Sequence, residues 1–365
     1  MRIKEIIQYL EDVAPRSYQE SYDNSGLLIG SDQTEITSVL ISLDCTEEVV
    51  DEAIAQQCKF IIAHHPIIFG GLKKLTGANY VERTVIKAIQ NNIAIYAIHT
   101  NLDNVANGVN FKISEKLGLQ QTLVLDPKSN LLQKLVCYVP TAHLEKLQAA
   151  LFAAGAGHIG NYSECSFVSE GVGAFKAGEG AKPFVGGSNQ RHQEAENRLE
   201  VVLPKYAQGK VLMALFENHP YEEVAYDLFD LVNLHAQVGS GLIGILPEEM
   251  DENTFLAYLK DKMELKSIRY TKYNEKKIRK IAICGGAGSF LLKKAIAAGA
   301  QAFVSSDFKY HEFFDAEKHL MIADIGHYES EKFTKSLLSE LIIKKFPTFA
   351  ILLSKTDTNP VNYYS

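Results

Sequence analysis

The sequence predicts an α/β protein: a core of two similar α/β halves, with mostly parallel sheets flanked by helices, interrupted by an inserted ferredoxin-like α+β module. Three observations predict it. Near both ends of the chain, short apolar runs such as Val39-Leu40-Ile41 and Ile61-Ile62-Ala63 alternate with longer amphipathic stretches, as buried strands joined by helices do. Past the polar, turn-prone Leu125-Asp126-Pro127-Lys128-Ser129-Asn130 the pattern changes to a rough βαββαβ order. The length of 365 residues also exceeds what one core usually supports. The boundaries expected are 1–128 for the first half of the core, 129–236 for the insert and 237–365 for the second half.

The elements follow in order. Ile3, Ile6, Ile7, Leu10 and Val13 recur at helical spacing and predict an amphipathic first helix. Tyr22-Asp23-Asn24-Ser25-Gly26 is a polar turn leading into the short strand Leu27-Leu28-Ile29. Val39 to Asp44 reads as a strand, Glu47 to Gln57 as a helix, and Ile61-Ile62-Ala63-His64-His65-Pro66 as a strand ended by a proline that has no N–H for a ladder. A helix over 80–91 and a strand over Ile93 to Ile98 lead to His99-Thr100-Asn101-Leu102-Asp103. In the insert, strand 134–139, helix 142–154, a Gly-rich stretch from Gly155 to Gly187, strand Leu199 to Leu203, helix 206–217 and strand 226–232 are expected. Beyond Gly239, strands at Leu242 to Leu246, Ile278 to Cys284, Ala302 to Ser305 and Leu320 to Ala323 alternate with helices; a last helix over 328–345 precedes strand Phe349 to Leu353.

Composition narrows the function. With 37 basic and 44 acidic side chains the formal charge is -7, which argues against a nucleic-acid backbone or an anionic membrane as partner. The five cysteines are scattered and form no C-x-x-C pair, as expected of reduced thiols in a cytoplasmic protein. No signal peptide is expected before the first helix, and no apolar run approaches the roughly 18 residues of a membrane span.

His64 and His65 end a buried strand, where open α/β sheets place ligand sites. Neighbouring strand residues point to opposite faces, so adjacent ligands suit one ion only if the chain is already turning; otherwise they suit two ions. Asp324-Ile325-Gly326-His327-Tyr328-Glu329-Ser330-Glu331 takes the equivalent position in the second half. His327 and Glu331, four residues apart, share one face of a first helical turn, while Glu329 points elsewhere. With Asp103 the candidates are His64, His65, Asp103, His327 and Glu331. Three imidazoles and two carboxylates crowd one tetrahedral ion but suit two, with Glu331 bridging ions about 3.5–4 Å apart. Mixed nitrogen and oxygen ligation suits Zn²⁺, Fe²⁺ or Mn²⁺.

These residues carry a resemblance. Tyr22-Asp23-Asn24-Ser25-Gly26-Leu27, Ala63-His64-His65-Pro66, His99-Thr100-Asn101-Leu102-Asp103, Ser306-Asp307-Phe308-Lys309-Tyr310-His311 and Gly326-His327-Tyr328-Glu329-Ser330-Glu331 are similar to motifs of the GTP cyclohydrolase 1 type 2 homolog (Nif3-like) family, over nearly the whole chain. The resemblance implies two divalent metal ions per chain on the same five ligands, and a ring-shaped, toroidal homohexamer. It also implies that the insert is the PII/CutA-like domain of longer bacterial members, to which Gly155-Ala156-Gly157-His158-Ile159-Gly160-Asn161-Tyr162 and His219-Pro220-Tyr221-Glu222-Glu223 correspond. Ser305-Ser306-Asp307 departs from the family's commoner Thr-Gly-Asp, and Asn107-Gly108 from a Gly pair; neither touches an expected ligand.

Around the metals, Asp23, Asp44, Asp307 and Asp324 are candidates to orient the histidines. Lys309 and His311, following Asp307, are candidate catalytic residues that would hold an anionic small-molecule substrate and carry protons. The glycine-rich Cys284-Gly285-Gly286-Ala287-Gly288-Ser289 could receive a phosphate on its amides, although it lacks the Lys-Ser/Thr ending of a nucleotide loop. A metal-dependent hydrolase acting on a nucleotide or other phosphorylated small molecule is the function expected. The alternative is a non-catalytic protein for metal sensing, storage or delivery, with a ligand-sensing insert.

Overall fold

Along Phe60–Ala63 and Ala94–Ala97 every side chain is buried, because these strands are covered on both faces. Ile41, Phe60, Ile62 and Tyr96 turn to one core, and Leu40, Ile61, Ala63 and Ile95 to another. Ser38–Ser42, Phe60–Ala63 and Ala94–Ala97 pair in parallel, with Ala350–Leu353 added in parallel at one edge and Gly26–Ile29 antiparallel at the other. In the computed structural model, which describes residues 1–273 and 277–364, this five-stranded sheet belongs to a unit formed by Met1–Pro127 and Gln237–Ser365.

The same unit contains a six-stranded sheet. Its centre, Ile278–Ala287, Ala302–Ser306 and Met321–Asp324, is parallel. Gly239–Met250 and Gln120–Pro127 continue it antiparallel on one side, and Arg269–Tyr270 on the other. Ile281, Ile283, Val304 and Ala323 reach the core that Ile41 and Ile62 also enter, together with Ile3, Ile6 and Leu10 of helix Ile3–Val13. One apolar core is thus shared by both sheets and the helices packed with them. The carboxyl ends of strands from both sheets open on one cavity of about 680 Å³.

Lys128–Ala236 is a second unit with its own core. Its elements run strand Leu132–Pro140, helix Leu144–Ala153, strands Ser166–Lys176 and Arg191–Pro204, helix Gln208–Asn218 and strand Tyr226–Leu231. The strands lie in the spatial order second, third, first, fourth. Leu147, Leu151, Val211 and Leu215 of the two helices pack on Leu135, Cys137, Leu199 and Val201, so both helices cover one face of the sheet.

Several elements differ from the sequence expectation, among them helix Val109–Lys116, which was not expected, and strand Arg191–Pro204, which is longer than Leu199 to Leu203. The stretch Gly155 to Gly187 contains the eleven-residue strand Ser166–Lys176. Asp126 and Pro127, in the polar stretch after Leu125, still belong to a strand, Gln120–Pro127, whereas Lys128, Ser129 and Asn130 lie outside it. The last helix is two, His327–Glu331 and Thr334–Lys345. Among the described residues no helix is long and apolar enough to cross a membrane, and all five cysteines are free thiols.

Candidate metal centre

Four histidines face each other at these strand ends, and each is held by its outer ring nitrogen. His64, fully buried, sets Nδ1 2.8 Å from the Ile98 carbonyl oxygen. Since a carbonyl only accepts, Nδ1 carries the hydrogen and Nε2 presents its lone pair inward. His65 Nδ1 lies 2.7 Å from Asp44 Oδ1, His327 Nδ1 2.6 Å from Asp307 Oδ2, and His99 Nδ1 2.8 Å from Asp23 Oδ1. A carboxylate or carbonyl behind the imidazole is the usual support of a metal-ligating histidine. Of the four aspartates expected in that role, Asp44 and Asp307 stand behind expected ligands and Asp23 behind His99. Asp324 instead accepts from the Arg269 guanidinium and, at 3.1 Å, from the Phe308 amide.

The five expected ligands come together as two overlapping triads, His64 with Asp103 and Glu331, and His65 with His327 and Glu331. Two ligand atoms each about 2.1 Å from a tetrahedral ion lie about 3.4 Å apart. His64 Nε2 is 3.5 Å from Asp103 Oδ1 and 3.8 Å from Glu331 Oε1. In the other triad, Glu331 Oε2 lies 2.9 Å from His65 Nε2 and 3.1 Å from His327 Nε2, and the two nitrogens are 3.3 Å apart. Both sets have edges of the size a cation needs. His64 Nε2 and Asp103 Oδ1 are moreover buried with no hydrogen-bond partner, a costly state that a cation between them would relieve. The residues fit the group the sequence implies.

Electrostatics point the same way. Burial, reinforced by the neighbouring Glu331 carboxylate, pushes Asp103 up to about 8. Burial lowers the His65 and His327 values, but hydrogen bonds donated to Asp44 and Glu331 raise His65 to about 10, and those donated to Asp307 and Glu331 raise His327 to about 11. Glu331 is buried, which opposes its charge, yet the histidines around it hold it well below the carboxylate range. Without a cation, protons on the imidazoles supply the positive charge Glu331 requires; a divalent ion would displace them.

Backbone conformations specify the position of Glu331. Gly326 precedes the helix at φ 90°, where an added Cβ would strike the Glu329 carboxylate, and Gly286, at φ 64°, leaves the space that Glu331 Oε1 fills. Asp307, supporting His327, holds φ 61° without being a glycine.

His99 is the site residue the sequence reading did not single out. Ala63 and Ala97 are paired in register, so the residues just after them are neighbours, and His64, His65 and His99 form a third close group. Lys309 and His311 lie elsewhere: both are exposed, neither lines the cavity, and the His311 ring packs against Tyr310 and Phe314. Two amides of the glycine loop are already taken. Gly285 N–H donates to Asn110 Oδ1 and Gly286 N–H to Ser330 Oγ, each at 2.9 Å.

Comparison with known proteins shows the family. A sequence profile of the Duf34/NIF3 (NGG1p interacting factor 3) family matches residues 1–360. The chain is 40% identical over 366 residues, covering 99% of it and 98% of the relative, to a Bacillus subtilis protein named GTP cyclohydrolase 1 type 2 homolog. It is 36% identical to a Staphylococcus epidermidis protein of the same name, each covered in full. Its fold matches the crystal structure of a Bacillus cereus protein related to NIF3, with TM-score 0.88, 40% identity and coverage of 100% of this chain and 99% of the other. A Staphylococcus aureus structure matches with TM-score 0.78 and 30% identity, over 100% and 99% of the two chains. This chain belongs to the Duf34/NIF3 family.

Proposed function

We propose that the chain holds two divalent cations, one on His64, Asp103 and Glu331 and one on His65, His327 and Glu331, and hydrolyses a nucleotide or another phosphorylated small molecule with them. The observation that carries the proposal is the Glu331 carboxylate, whose Oε1 addresses His64 and whose Oε2 addresses His65 and His327. Zn²⁺ suits this donor set, and Fe²⁺ or Mn²⁺ also fit it. Bound there, such cations supply Lewis acidity and make water a stronger acid.

The chain's own residues do the rest. Asp44, Asp307 and the Ile98 carbonyl fix the imidazoles. His99, tied by Nδ1 to Asp23, lines the same cavity and adds a fourth imidazole beside the ligands. Tyr22 and Phe69, exposed lining residues with centroids 6.2 Å apart, offer flat apolar surface to a ring. Lys309 and His311 act as anion anchor and proton carrier only for a substrate that extends past the cavity. The proposal includes the ring-shaped hexamer, and the exposed Phe290, Tyr310 and Phe314 support an assembly contact in this unit.

Metal sensing, storage or delivery is the second reading, and the cavity's charge favours it. Seven carboxylate residues line it against Arg269, which is already bound to Asp324, and the imidazoles of His65 and His327, which give up their protons when a cation binds. Such a wall attracts cations and leaves an anionic substrate dependent on the metals. The deciding experiment is turnover of GTP, the compound in the relatives' name, and of a phosphoester panel by metal-reconstituted protein, with Glu331→Gln as control. Metal-dependent turnover lost in Glu331→Gln is the result expected; no turnover by fully loaded protein would leave the second reading standing.

A further inference from the structure

The second unit contains a cavity of about 1160 Å³ that no part of the metal chemistry uses. Leu199 and Val201 point to the helices, so Arg198 and Glu196 belong to the opposite, helix-free face of the sheet. Gly171 pairs with Glu196 and Gly173 with Glu194, which puts both glycines on that face as a floor without side chains. A Cβ on Gly173 would strike the Glu196 carboxylate lying over it.

Glu196 is 9% exposed. The Tyr221 hydroxyl donates to its Oε1 at 2.7 Å, while Oε2, among the described residues, takes no hydrogen bond. Phe175 and Phe184 stand around Tyr221 with centroids 6.2 and 6.3 Å from its ring.

The His219-Pro220-Tyr221-Glu222-Glu223 segment builds this cavity. His219 Nδ1 accepts from the Tyr221 amide at 3.1 Å, so Nε2 carries the hydrogen and donates to the Tyr138 carbonyl oxygen at 2.9 Å. Burial holds the ring neutral by lowering its pKa. His219 is thus a fixed post that places Tyr221. Glu222 Oε1 accepts from the Lys182 amide at 2.8 Å, pinning the segment that carries Phe184.

Five glutamates line the cavity against one lysine and one arginine. A mostly buried carboxylate with one oxygen open to the cavity favours a positive partner, aromatic faces attract one, and a planar N–H fork matches a carboxylate best. An anion would meet repulsion, and a bare metal ion would have no use for the aromatic walls. The geometry points to a binding site for a small organic cation with a flat amidinium-like or guanidinium-like head. Its N–H groups bind Glu196, and its body lies among Phe175, Phe184 and Tyr221.

The test titrates the full-length protein with benzamidine, and with benzoate as the isosteric anion, by calorimetry. Saturable benzamidine binding at one site per chain is expected, with none for benzoate. Glu196→Gln should weaken benzamidine by about tenfold or more, the loss of a charged hydrogen bond. Phe184→Ala, 53% exposed and removable without touching the unit's core, should weaken it severalfold with an unchanged melting temperature, so the test does not depend on how Glu196→Gln folds. Tyr22→Ala, which removes an exposed lining residue of the first unit's acidic cavity, should bind benzamidine as the parent does, which separates this site from that cavity. Absence of saturable benzamidine binding, equal binding of benzoate, or parental affinity in Phe184→Ala and a folded Glu196→Gln would overturn the proposal, as would loss of binding in Tyr22→Ala.

Discussion

At Glu331 a single buried carboxylate meets three imidazoles, and its two oxygens are divided between them. What fixes the imidazoles lies one step out. Asp44→Asn and Asp307→Asn keep volume but lose the charge behind His65 and His327, and each should weaken metal binding by about 10- to 100-fold, read by competition with a chromophoric chelator. The pH dependence has a definite sign. Asp103 at about 8 lies above its unfolded value of about 3.9, so the metal-free fold retains a proton that the unfolded chain gives up. That contribution is present at low pH and is lost as pH rises toward about 8. His65 and His327, at about 10 and about 11, contribute fully below about 6.5 and lose their share as pH rises beyond it, the same direction. Metal-free protein should therefore melt at lower temperature as pH rises from about 5 to about 8, while the increment on adding metal grows. An increment that shrinks with rising pH would contradict the site as described.

Among the elements, the strand-to-turn junctions set the site. Gly326→Ala places a Cβ against Glu329 at a φ that side chains avoid; it should cost about 1–3 kcal/mol in urea unfolding and loosen metal binding by displacing His327–Glu331. Much of this was legible in the sequence, because an apolar run ending in His64-His65-Pro66 and a Gly326 turn before His327 are local signals. His99 was not legible in that way. Its place depends on the pairing of Ala63 with Ala97 across 34 residues, and only register reveals it. Arg269 is the same case: a two-residue strand carries it to Asp324 with no local pattern. Strand Ser166–Lys176 escaped because it is an edge strand whose Gly171 and Gly173 erase the alternation; the same two glycines open the second cavity.

Across the whole molecule, all five expected ligands come from one unit, though Asp103 and His327 stand on opposite sides of the second unit in sequence. Pro127 and Gly239 are paired strand residues, so the chain leaves and re-enters the first unit at adjacent points. Replacing 129–236 with a short Gly/Ser linker should leave a folded protein with the parental metal content. A loss of metal on excision would mean that the second unit contributes to the site. The most direct measurement of the central claim is metal stoichiometry by elemental analysis of the parent, His64→Ala, His65→Ala and Glu331→Ala after reconstitution and desalting. A carboxylate shared by two ions requires about two equivalents in the parent, about one in each histidine variant and none in Glu331→Ala. Two equivalents retained in Glu331→Ala, or both lost from His64→Ala alone, would contradict it.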